Sequence, residues 1–101
     1  MQNKEFIQIV SPEDRLRIRF TKNRGRILQF VVGYEILLKG HWRVVMRYDN
    51  CHGSSPHKHT YYLQSKSYKV TLDMSPEDAL TESKSSILNN LQSIRANYLS
   101  N

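Results

Sequence analysis

The chemistry in this chain is concentrated in its histidines. All four lie between positions 41 and 59, and three of them, His52, His57 and His59, fall within eight residues of one another. Arg47, Asp49, Asn50 and Cys51 come just before the cluster, and Tyr48, Tyr61 and Tyr62 flank it. Imidazole titrates near neutrality, so a histidine pair can supply both a general base and a general acid. Cleavage of RNA by attack of a ribose 2′-OH needs both: one proton leaves the hydroxyl and another reaches the departing 5′-oxygen. His57 and His59 are two residues apart, so on a strand they point to the same side. Asp49 could orient one of them, and Arg47 or Lys58 could stabilise charge on the phosphorane. The candidate catalytic set is therefore His57, His59, Asp49, His52, Arg47 and Tyr61.

Two other readings of the same residues stay open. Histidines with Asp49 or Cys51 could ligate a transition metal, although the spacing matches no standard zinc site, and no cofactor is expected. The segment could instead be a polar loop in which Asp49 and Asn50 cap a turn. Cys51 stands alone, which excludes an internal disulfide framework and four-cysteine zinc sites, and a reducing cytoplasm is the simplest compartment.

The elements that must position these residues can be read from periodicity. In 101 residues, 39% of them hydrophobic, there is material for one core and one domain spanning 1–101. No apolar run approaches the roughly 20 residues of a membrane helix, so no membrane partner is expected. Residues 5–10 read as a first strand or a docked arm, followed by a turn at Ser11-Pro12-Glu13-Asp14. Residues 15–22 alternate, with Leu16, Ile18 and Phe20 against Arg15, Arg17 and Arg19. A hairpin turn at Asn23-Arg24-Gly25-Arg26 leads to a long strand over 27–38, with Leu28, Phe30, Val32, Tyr34, Ile36 and Leu38 on its apolar face. Lys39-Gly40 closes a second hairpin. Residues 41–48 alternate again, with Trp42, Val44, Met46 and Tyr48 against His41, Arg43, Val45 and Arg47. A polar loop over 49–58 precedes a last hairpin, 59–64 with 67–72, with Tyr68, Val70 and Leu72 inward.

Ser75 as N-cap, Pro76 at the first helical position and Glu77-Asp78 in the first turn start a C-terminal helix over 75–99. Its apolar stripe runs through Leu80, Ile87, Leu91, Ile94 and Tyr98, widened by Leu88 and Leu99. The expected fold class is α+β: a curved antiparallel meander of four to five strands (5–72) with one helix packed on one face.

A single helix leaves the other sheet face uncovered. That face is expected to carry Arg15, Arg17, Arg19, Gln29, Glu35, Arg43 and Arg47. The net charge of +6 is unevenly placed: residues 15–72 hold twelve bases against two acids, while both flanks are net acidic. A basic sheet with aromatics among the charges suits single-stranded RNA, with Arg15, Arg17, Arg19, Arg24, Arg26, Arg43, Arg47 and Lys58 as the binding candidates. The alternatives are a non-catalytic nucleic-acid-binding or protein-interaction module, or a homodimer through the open face.

Arg47-Tyr48-Asp49-Asn50, then His52, then Pro56-His57-Lys58-His59, resembles the motif of the TumE-type toxins of prokaryotic toxin–antitoxin systems. The resemblance covers about 13 residues strongly and the remainder in pattern. Lys58 stands between His57 and His59 where the family pattern has adjacent histidines. The resemblance implies a cytoplasmic prokaryotic protein that acts on cellular RNA, with a cognate antitoxin, often a helix-turn-helix protein, as partner.

Overall fold

The computed structural model describes residues 1–50 and 55–101. Among these residues, six strands form one antiparallel sheet in simple sequence order: β1 (Gln2–Ser11), β2 (Asp14–Asn23), β3 (Arg26–Leu38), β4 (His41–Asp49), β5 (His57–Thr60) and β6 (Tyr68–Thr71). Two helices follow, α1 (Pro76–Asn89) and α2 (Leu91–Ser100). The expected α+β meander with helical cover is present, with six strands rather than four to five and two helices rather than one.

Local chemistry explains the turns. The β2–β3 hairpin places Arg24 at φ 51° and Gly25 at φ 77°, and the β3–β4 hairpin places Lys39 at φ 52° and Gly40 at φ 79°. Two successive left-handed residues make the two-residue turn whose twist matches that of the strands. Between β5 and β6 the chain takes a longer path than the expected turn at Ser65-Lys66. Residues 61–67 reach toward the C-terminus, where the Leu63 amide donates to the Tyr98 carbonyl and the Gln64 amide to that of Asn101.

The core lies between the sheet and the helices. Leu16, Ile18, Phe30, Val32, Tyr34, Ile36, Met46 and Tyr48 from the sheet meet Ala79, Ile87 and Tyr98. α1 packs on β3 and β4, and α2 on β4. The outer strands extend beyond this cover, so Phe6, Tyr68 and Val70 are exposed, and the expected inward placement of Tyr68 and Val70 is corrected. Leu88 and Leu99, expected to widen the helical stripe, are also exposed.

The helix breaks at Asn90. Its side chain donates to the Ser86 carbonyl at 2.7 Å, and its own carbonyl accepts the Ile94 amide to begin α2. An asparagine amide offers the backbone an alternative to the helical ladder, so a stripe that continues past residue 90 does not keep the helix continuous. At the start of α1 the expected cap is present: Ser75 Oγ accepts the Asp78 amide at 3.1 Å.

Two bulges set which side chains share a face. In the β3–β4 ladder, Tyr34 opposes Met46 but Glu35 opposes Val44, leaving Val45 as the extra residue. Met46 and Tyr48 face the helices, as does Val45, which is fully buried. Beyond the bulge the alternation is inverted. Arg43 opposes the core residue Ile36, while Val44 opposes Glu35 on the open side. The expected face of Trp42-Val44-Met46-Tyr48 is thereby corrected, and Arg43 does not join the other arginines. In the β2–β3 ladder, Leu28 is the extra residue and is exposed, while Ile27 packs against the core in its place.

Candidate nucleic-acid interface on the open sheet face

Cross-strand partners share a side of the sheet, so register assembles the open face row by row. One row reads Ile7, Arg17, Gly33, Arg47, His59 and Lys69; the next reads Glu5, Arg19, Val31, Asp49, His57 and Thr71. These rows bring Arg47, Asp49, His57 and His59 together from two strands, as required of the candidate catalytic set. Lys58 falls between the two histidines and opposes Tyr48 on the helix side, with its ammonium 5.9 Å from the Tyr48 ring centre. It is therefore excluded from the group around His57 and His59. His52 and Cys51 lie outside the described residues.

Asp49 is the hub. Its Oδ2 accepts from Arg47 Nε at 2.8 Å and lies 3.3 Å from His59 Nε2. The carboxylate is almost fully buried, and the His59 ring is mostly covered. Burial pulls the His59 pKa below the ordinary histidine value; Asp49 opposes this, while Arg47, Lys69 and His57 add to the depression. Burial thus favours the neutral form of His59. The His57 ring lies 6.3 Å from that of His59, tilted by 54°. On its other side His59 has Tyr61, ring centres 6.2 Å apart and planes within 9° of parallel. The Tyr61 amide donates to the Val45 carbonyl at the β4 bulge, which anchors the start of the 61–67 connection.

Asn50 holds the end of β4 in place. Its Oδ1 accepts the Phe30 amide at 2.8 Å and its Nδ2 donates to the Leu28 carbonyl at 2.9 Å. Among the described residues, β4 pairs with β3 as far as Asp49, opposite Val31. The Asn50 amide thus substitutes for one more residue of ladder, and the preceding carboxylate is fixed next to the strand end.

A hollow of about 670 Å³ opens beside the group, bounded among others by Arg19, Gln29, Val31, Arg47, His57, His59 and Lys69. Among the described residues, Arg19 and Lys69 have no carboxylate partner. Arg15 and Arg17 differ. Glu35, buried on the open face, accepts Arg15 Nε at 2.6 Å and Arg17 Nε at 3.3 Å, and the Arg15 guanidinium stacks 4.0 Å from the centre of the Trp42 ring. Arg24 and Arg26 lie at the β2–β3 turn, and Arg26 sits 3.6 Å from Glu77. The arginines expected to act together therefore divide by partner. Asn50, Gln29 and Lys69 were not among the sequence-derived candidates. Lys69 comes opposite His59 through the observed pairing of 57–60 with 68–71, which the expected hairpin of 59–64 with 67–72 does not give.

Among the described residues, no group of three His, Cys, Asp or Glu side chains could hold a metal ion, and no helix is long and apolar enough to cross a membrane.

Fold and site together define a small α+β protein whose helices cover one side of an antiparallel meander, with histidines, a carboxylate and cations gathered on the other. The chain belongs to the family described as Domain of unknown function (DUF7718), whose model matches residues 1–101. No curated protein and no solved structure matches the chain.

Proposed function

We propose that this protein acts on single-stranded RNA and cleaves it without a metal, by attack of a ribose 2′-OH on the adjacent phosphate. The observation that carries the reading is the different placement of two neighbouring histidines. His59 is covered and contacts Asp49, and burial favours its neutral form, whereas His57 lies 6.3 Å away without that carboxylate contact. His59 takes the proton from the 2′-OH as the bond from the 2′-oxygen to phosphorus forms. His57, in its protonated form, gives a proton to the 5′-oxygen as its bond to phosphorus breaks. The products are a 2′,3′-cyclic phosphate and a 5′-hydroxyl, and water returns the protons to their starting places. Arg47, Arg19 and Lys69 offset the charge that builds on the phosphorane.

The resemblance of Arg47-Tyr48-Asp49-Asn50 and Pro56-His57-Lys58-His59 to the TumE-type toxins extends the proposal. The protein would be the toxin of a pair, working in the cytoplasm and restrained by an antitoxin. The test is incubation with end-labelled single-stranded RNA, with and without EDTA, beside His57→Ala and His59→Ala. Cleavage that survives EDTA and is lost in both variants is expected. Binding without cleavage in every lane would overturn the enzymatic reading and leave a binding module.

A further inference from the structure

The hollow has two chemically different ends. At one end are Arg19 on β2 and, across the sheet on β6, Lys69, which among the described residues have no carboxylate partner, with the histidines between them. At the other, Thr21 and Gln29 oppose each other across the β2–β3 ladder, one row beyond Arg19 and its partner Val31. Gln29 is exposed, and among the described residues its amide has no hydrogen-bond partner. Two residues of strand, about 7 Å, separate the Arg19 row from the Thr21 row. A phosphate alone would use only the cationic end.

From this juxtaposition we propose that the Thr21–Gln29 end is a nucleobase subsite, and that Gln29 sets which base lies beside the bound phosphate. It rests on the reading of the hollow as an RNA site. The phosphate sits against Arg19, the base lies over the Val31 side chain, and the Gln29 amide meets the base edge. A carboxamide presents a donor and an acceptor side by side, and base edges present the complementary pairs in different orders. Base recognition on open single strands combines such edge contacts with an apolar surface beneath the ring.

The test is titration of the full chain with inorganic phosphate and with each of the four ribonucleoside monophosphates, followed by NMR. Wild-type affinities should spread by about fivefold or more across the four bases, as one amide–edge pair allows. In Gln29→Ala that spread should collapse to about twofold or less, with phosphate affinity unchanged. Gln29→Glu, which exchanges the donor for a second acceptor, should reorder the bases, while Arg19→Ala should weaken phosphate and all four nucleotides alike. Equal affinities in the wild type, or a spread that survives Gln29→Ala, would overturn the assignment. Failure of both phosphate and nucleotides to bind would overturn it together with the RNA reading. A Gln29-dependent spread in a protein that does not cleave RNA would uphold the subsite and remove only the enzymatic claim.

Discussion

Asp49 contacts His59, its diagonal neighbour across the β4–β5 ladder, with Oδ2 3.3 Å from Nε2, although its direct cross-strand partner is His57. Arg47, the direct partner of His59, bonds to the same carboxylate oxygen at 2.8 Å. One carboxylate therefore serves a permanent cation and a titrating ring. The two histidines, equivalent in strand position, become different in their contacts, and it is His59 that shares this carboxylate.

Variants of the two partners should move His59 in opposite directions. Arg47→Ala removes a cation that depresses the His59 pKa, so that pKa should rise. Asp49→Asn removes the carboxylate that raises it, so the pKa should fall further. NMR titration of the imidazole protons reads both shifts without requiring activity. In the wild type, protonation of His59 opposes folding, because its folded pKa lies below the ordinary value of 6.5. That part of the stability is complete above pH 6.5 and is lost as pH falls from there through the folded pKa. A general-base limb that stays active below pH 6.5 is the matching kinetic outcome.

Salt dependence should separate the arginines. Arg19 has no acid partner among the described residues, so replacing it with alanine should weaken RNA binding and reduce the log–log salt slope by about 0.7. Arg15 is held by Glu35 and stacked on Trp42, and Arg15→Ala should leave the slope nearly unchanged. Fluorescence anisotropy of a labelled oligonucleotide over a range of salt measures both. Equal losses would mean that Glu35 does not withdraw Arg15 from the RNA.

On the helix side, α2 is fastened to the sheet through Asp14. That carboxylate accepts from Ser11 Oγ at 2.6 Å, from the buried Tyr34 hydroxyl at 2.5 Å and from Arg95 Nη1 at 3.3 Å. Burial alone would raise its pKa, but the Ser11 and Tyr34 hydrogen bonds and Arg95 outweigh it and hold the pKa below the usual value of 3.8. The stability from this group is therefore present above pH 3.8 and lost as pH falls through the folded pKa. Tyr34→Phe deletes a hydrogen bond to a charged group and should lower stability by about 1.5–3 kcal/mol in urea unfolding at neutral pH. The variant should also lose less stability than the wild type on acidification, because one group that depresses the Asp14 pKa is gone.

What the sequence made legible and what it hid follow from the same strands. Arg15, Arg17 and Arg19 alternate with Leu16, Ile18 and Phe20 without interruption, and register keeps that order throughout the run. His57 and His59 share a face because a two-residue spacing on a strand permits nothing else. The bulges are another matter. Val44, Val45 and Met46 are three consecutive apolar residues, each able to occupy an inward position, so period two does not reveal which one is doubled. The choice of Val45 moves Arg43 to the helix side and Val44 to the open side. Ile27-Leu28 hides its bulge in the same way. The break at Asn90 is masked by Ile87, Leu91, Ile94 and Tyr98, whose spacing suits one continuous helix. The contact of Asp49 with His59 depends on the β4–β5 register, which no local pattern encodes.

Asn50 offers a test of how the end of β4 is built. It is fully buried, and both ends of its amide are used, by the Phe30 N–H and the Leu28 carbonyl. Asn50→Leu keeps approximate volume but strands both backbone groups, and should lower stability by about 2–4 kcal/mol. Asn50→Asp isolates the donor half of the amide. Its carboxylate can still accept the Phe30 N–H, but it meets the Leu28 carbonyl with negative charge instead of a proton. The variant should be destabilised at neutral pH, and its deficit relative to wild type should shrink as acidification protonates the new carboxyl group and restores a donor. The comparison must be made at each pH, since Asp14 and His59 already lower wild-type stability in acid. A deficit independent of pH would mean that Asn50 acts by shape alone, and that the backbone of β3 beside Leu28 finds another partner.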